Sequence, residues 1–163
     1  MPRITDETHG TVVVTTTETR VLAAVATTAA EITRSGDETR PDVPIGTRDA
    51  DCLTLVVNGS PARLAPGNGR YSRRSYRVDA WVGDVHYLLK PEADGSTLLA
   101  DGVERGFFPE QNLPAVWLPG SSPQDAAIGY ALAAAFGVQA RSLYDTVFHA
   151  AVDPVVGTQR PIT

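Results

Sequence analysis

SPQDAAIGYALAAAFG, residues 122–137, is the stretch on which the reading of this fold turns. Ser122 stands where an N-cap belongs, Pro123 takes the first helical position and Asp125 follows three residues after the cap, an arrangement that satisfies the free N–H groups of a first helical turn. Gly137 supplies the stop. No charged residue follows Asp125 within the stretch. A helix that is apolar all round belongs inside a protein, and at about 14 residues, roughly 21 Å, it is too short to span a bilayer. It is either the centre around which a curved sheet wraps, or a helix half covered by its own sheet and half by another protein.

Working outward, the middle of the chain reads as a run of hairpins. Leu53–Val57 and Ala62–Leu64 flank Asn58-Gly59, a pair that tolerates the positive φ angles of a tight turn. Tyr76–Leu89 reads as a second hairpin turning at Gly83-Asp84, with Tyr76, Val78, Ala80 and Val82 alternating against Arg77, Asp79 and Trp81. Asp94-Gly95 and Asp101-Gly102 punctuate strands over Thr97–Leu99 and Val103–Phe108. Val116–Leu118 is a short strand among Pro109, Pro114 and Pro119. Nearer the N-terminus, Val12–Val14 open as a strand. Val21, Leu22, Val25, Ala29 and Ile32 then recur at three- and four-residue spacing before Gly36, which predicts a helix over 18–34. A last short helix is expected over 142–151.

The fold class that results is α+β: a twisted antiparallel sheet of hairpins packed on an apolar C-terminal helix, with an N-terminal strand-helix unit. One domain is expected over 1–163, with a flexible loop at about 36–51, where glycine, prolines and acids cluster, and a tail at about 152–163. A sheet around a helix resembles, in outline, helix-grip and tubby-type barrels; no motif in the chain carries over their ligands.

The charge pattern is segregated. Between Asp51 and Asp79 there is no acid and there are five arginines, Arg63, Arg70, Arg73, Arg74 and Arg77, in a chain of net charge -5. Tyr71 and Tyr76 interleave with them. A local positive field of this kind attracts carboxylates or phosphates even when net charge is negative, and arginine holds them with planar, two-pronged donors. Arg70, Tyr71, Arg73, Arg74, Tyr76 and Arg77 are therefore the candidate interaction residues. Protein contact is favoured over nucleic acid, since a pI near 5.1 is the reverse of the usual nucleic-acid footprint.

Other groups give less. Asp145 and His149 share a helix face, with Ser121 or Ser122 as hydroxyl donors, yet the chain has no G-x-S-x-G elbow and a surface ion pair is the simpler reading. Asp49, Asp51 and Cys52 lack the further ligands of a calcium loop, and His9, His86 and His149 are scattered, so no metal or cofactor is expected. Gly67-Asn68-Gly69 is not followed by the lysine of a phosphate loop. Trp81, Tyr87, Phe107 and Trp117 would line a ligand pocket between sheet and helix if one existed. A single cysteine excludes an intrachain disulfide. The absence of an apolar leader or a run of about 18 apolar residues points to a soluble, cytoplasmic protein without a membrane span. The expected function is a non-catalytic protein-interaction or assembly subunit, self-association included. A nucleic-acid-binding accessory protein and a small-ligand or hydrolytic domain are the alternatives.

Overall fold

The computed structural model of the chain describes residues 3–37, 39–70, 72–110 and 114–138. Eleven strands precede one helix: β1 (Arg3–Asp6), β2 (Gly10–Thr16), β3 (Arg20–Val25), β4 (Thr28–Arg34), β5 (Leu53–Val57), β6 (Ser60–Pro66), β7 (Val78–Val82), β8 (Val85–Glu92), β9 (Gly95–Ala100), β10 (Val103–Pro109), β11 (Val116–Trp117) and α1 (Pro123–Phe136). Each strand pairs antiparallel with its neighbours in sequence, so the sheet is a continuous meander from β1 to β11. β6 pairs with β5 through Ser60–Ala62 and with β7 through Arg63–Pro66, which makes it the strand at which the sheet turns.

The turns follow the chemistry expected of them. Asn58 and Gly59 have φ of 50° and 83°, and Asp101 and Gly102 have φ of 50° and 81°, the left-handed pairs that match hairpin twist. Period-two burial runs along the strands: Val21, Ala23 and Val25 of β3, and Ala30 and Ile32 of β4, face the core.

α1 occupies the concave side of this sheet. Its capping box is complete, with the Ser122 hydroxyl accepting from Asp125 N–H and the Asp125 carboxylate accepting from Ser122 N–H. Of its 14 residues only Pro123, Gln124 and Ala134 are not buried, and it packs on β2, β3, β4 and β8. Gly129 lets it come close to the second half of the sheet, because a Cβ there would stand 2.7 Å from the Phe108 ring. Ile128, Leu132 and Phe136 are almost fully enclosed, each worth about 1.5–3 kcal/mol of hydrophobic stabilisation. The helix is thus wrapped by its own sheet.

The sheet and the apolar C-terminal helix match the expected α+β plan; the N-terminal strand-helix unit does not. Residues 18–34 form the β3–β4 hairpin, turning at Ala26-Thr27 with Ala26 at φ 52°. Of the apolar residues that recur at three and four, Val21, Val25 and Ile32 face the core and fall in a period of two with Ala23 and Ala30, while Leu22 and Ala29 lie on the other face; sheet pairing on both sides decides between the readings. The 36–51 segment is a loop, but one packed into the core: Val43 and Ile45 are buried, and Ile45 N–H donates to Ala135 O at 3.1 Å, closing the C-terminal end of α1. The helix expected over 142–151 and the tail at 152–163 lie outside the described residues. Among those described, no helix is long and apolar enough to cross a membrane.

Candidate functional site

The arginine segment is held as a closed loop. Gly67 N–H donates to Arg77 O and Gly69 N–H to Ser75 O, both at 2.8 Å, so the two arms of the loop clasp each other. The Ser75 hydroxyl donates across it to Arg70 O and Ser72 O, and Arg70 N–H donates to the Asn68 side chain at 3.0 Å. Only glycine fits at 67, where a Cβ would meet Ser75 O at 2.2 Å.

Two further arginines anchor this loop from below. Arg40 grips Asp42 with two hydrogen bonds of 3.1 and 2.7 Å and donates to the carbonyls of Asn68 and Gly69. Arg48 is buried and donates to Gly67 O at 3.1 Å and to Phe136 O, at the C-terminal end of α1, at 3.2 Å. A cation there meets the negative pole of the helix. Its guanidinium also lies 5.2 Å from the Tyr76 ring and 5.5 Å from that of Phe136. Burial, helped by the charge of Arg40, pulls Arg48 down to about 10, so it stays charged at neutral pH.

So anchored, the loop sets the short 3-10 turn Arg73–Tyr76 against β8. Between them lies a cleft of about 630 Å³. Arg73, Arg74, Arg77 and Lys90 supply positive charge, Leu88 and Leu99 are apolar and half-buried, and Pro91 and Glu92 complete the lining. Arg77 donates to both oxygens of Asp79, at 2.9 and 3.0 Å, and His86 Nε2 lies 2.6 Å from the same carboxylate. Burial alone would raise Asp79; the hydrogen bonds from Arg77 and His86 outweigh it and hold it below the usual carboxylate range, and the same contact raises Arg77. Lys90 stands 3.9 Å from Glu92. Arg73 and Arg74 are exposed and make no ion pair among the described residues.

Of the interaction residues read from sequence, Arg73, Arg74 and Arg77 come together at the cleft. Arg70 is exposed outside the lining, where its charge acts on Asp42. Tyr76 turns toward Arg48, and Tyr71 lies outside the described residues. Sequence reasoning missed Lys90, Leu88 and Leu99. Residues 88 and 90 share a strand face, and the pairing of β8 with β9 adds Leu99, so the hairpin alternation was the signal that would have found them.

The remaining groups serve the fold. Arg63, Trp81 and His86 occupy paired positions on β6, β7 and β8, with the guanidinium 4.2 Å from the indole centroid and the imidazole stacked at 4.9 Å. Trp81 and Phe107 are half-buried while Tyr87 and Trp117 are buried, on the opposite face of the sheet, so these four aromatics do not line one pocket. His9 Nε2 lies 2.9 Å from the Ser121 hydroxyl, but the nearby Asp6 carboxylate accepts the backbone N–H of His9 and not its ring. No orienting group on the imidazole is found among the described residues, so the pair as described lacks the third member that activates a nucleophile. Asp145 and His149 lie outside the described residues. Among those described, no cluster of three or more His, Cys, Asp or Glu is placed to hold a metal, and Asp49 accepts the N–H of Asp51 to cap the short 3-10 turn Ala50–Cys52.

Comparison with protein-family models, with curated proteins and with solved structures finds no match.

Proposed function

We propose that this protein is a non-catalytic interaction subunit that docks an acidic partner protein in the cleft between the arginine loop and β8. One observation carries the reading: Arg73 and Arg74 are presented without an ion pair among the described residues, on a loop fastened at both arms, beside Arg77 and Lys90. Side chains displayed in advance of binding lose less freedom when a partner arrives, and a concentrated positive field speeds and orients encounter. The apolar helix, buried by its own chain, is not part of this contact surface. Protein is favoured over single-stranded nucleic acid because the described aromatic rings near the arginines are already engaged, Tyr76 by Arg48 and Trp81 by Arg63 and His86. Neither of these two rings is free to stack on a base.

The test is capture from the native host with the wild-type chain and with a double Arg73→Glu, Arg74→Glu variant, followed by reconstitution of the recovered partner and light scattering. Formation of a defined complex by the wild type and its loss in the variant support the reading. A wild-type chain that stays monomeric and retains nothing beyond what the variant retains defeats it. Labelled oligothymidylate, titrated at low and high salt, is the parallel arm for the nucleic-acid alternative.

A further inference from the structure

The cleft is divided along β8, and the division has a period. Leu88 pairs directly with Leu99 across β8 and β9, so the two form one apolar patch. Lys90 is the next residue on the same face of β8, about 6.6 Å further along. Val78 pairs with Leu89, which brings Arg77, the residue before it, to the level of Lys90. Glu92 follows two residues later on that face and reverses the sign.

Resting on the docking reading above, we propose that the cleft takes an extended segment of a partner protein in which an acidic residue stands two positions from a large apolar one. An extended chain repeats its side chains on one face at the same spacing as β8 does, so a carboxylate over Lys90 and Arg77 puts the apolar side chain over Leu88 and Leu99. Arg73 and Arg74, at the rim, take further carboxylates of the segment with paired N–H donors. A second acid on the other side of the first, two residues away, faces Glu92 and is disfavoured. Charge complementarity selects the segment, and the leucine patch sets its register. A bare inorganic anion would satisfy the cations and leave that patch uncovered.

Fluorescence anisotropy with three labelled dodecapeptides separates the possibilities. One carries glutamate and leucine two positions apart, one has the same composition with the two adjacent, and one has serine in place of leucine. The first binds about ten-fold or more tighter than the others, the effect expected of covering one leucine side chain. The double Arg73→Glu, Arg74→Glu change removes its binding, and Leu88→Ser lowers it to the level of the serine peptide. Leu99→Ser is the second variant should Leu88→Ser unfold the chain, as judged by circular dichroism. Equal, arginine-dependent binding of all three peptides overturns the spacing rule and leaves the docking reading in place. Binding that survives the double arginine change overturns both, and so does binding of none of the peptides at low salt combined with failure of the partner capture. Oligothymidylate displacing the first peptide at lower concentration than unlabelled peptide overturns the inference in favour of nucleic acid.

Discussion

Asp6, where the two ends of the meander meet, and Asp79, on the cleft side of β7, both sit below the usual carboxylate range, and they reach it by opposite means. Burial would raise Asp6; four neutral donors outweigh it, with Tyr130 O–H at 2.5 Å, Trp117 Nε1–H at 2.7 Å and the N–H groups of Thr8 and His9 at 2.9 Å. No cation pairs with it among the described residues. Asp79 is held by Arg77 and His86, at the margin of solvent. A buried charge stabilised only by oriented dipoles depends on every one of them, because each donor left over is itself a buried unsatisfied group. A carboxylate held by an arginine and a histidine in partial contact with water can lose one partner and find replacement in solvent. The first arrangement suits a joint, the second a surface that exchanges partners.

Removing Asp6 is the strongest way to break this contrast. Asp6→Ala strands the Trp117 indole N–H, the Tyr130 hydroxyl and two backbone donors, and is expected to cost about 3–5 kcal/mol in urea unfolding, against about 1 kcal/mol or less for Asp79→Asn. Equal losses would show the two sites to be alike. Trp117→Phe removes one of the four donors and most of the ring stays, so its expected cost is intermediate, about 1–2 kcal/mol by the same measurement.

Acid titration sharpens the comparison further. Both groups have folded values below the unfolded value of 3.8, so their stabilisation is fully present above that value and is lost as pH falls through the lower folded values. Unfolding free energy measured from neutral pH down to about pH 2 should therefore fall below about pH 4, and less steeply once either aspartate is replaced. An unchanged acid limb in the Asp6→Ala protein would mean that Asp6 is not held ionised by its four donors. The smallest effect is a control: Ala26→Gly relieves a left-handed alanine in a turn that touches neither carboxylate, and should add about 0.5–1 kcal/mol alike in wild type and in both variants.

That same turn explains where sequence reading stopped. Every hairpin announced by Asn-Gly, Gly-Asp or Asp-Gly was legible, because those residues reach positive φ cheaply, and the helix over 123–136 was legible from its cap and stop. Ala26-Thr27 carries no such mark. The alanines of 20–34 fit a helix or a strand equally, so long-range pairing with β2 and β5 had to decide. Strand β1 was missed for a similar reason, since Arg3–Asp6 gains its place by pairing with Gly10–Val13 and by the bond from Trp117, 111 residues away. At the cleft the arginines were visible as composition. Which of them lack an ion pair among the described residues was not, because Asp79 engages Arg77 through folding alone.

Strand order has a consequence for the birth of this chain. The eleven strands described leave the ribosome before the rod they enclose, and each needs only its predecessor to pair, so hairpin assembly can begin before the helix is made. Until residue 136 emerges, the hollow lined by Val12, Ile32, Leu55 and Leu98 has nothing to grip. The nascent polypeptide is then a greasy, half-closed wrapper, the state in which aggregation or chaperone capture competes with completion.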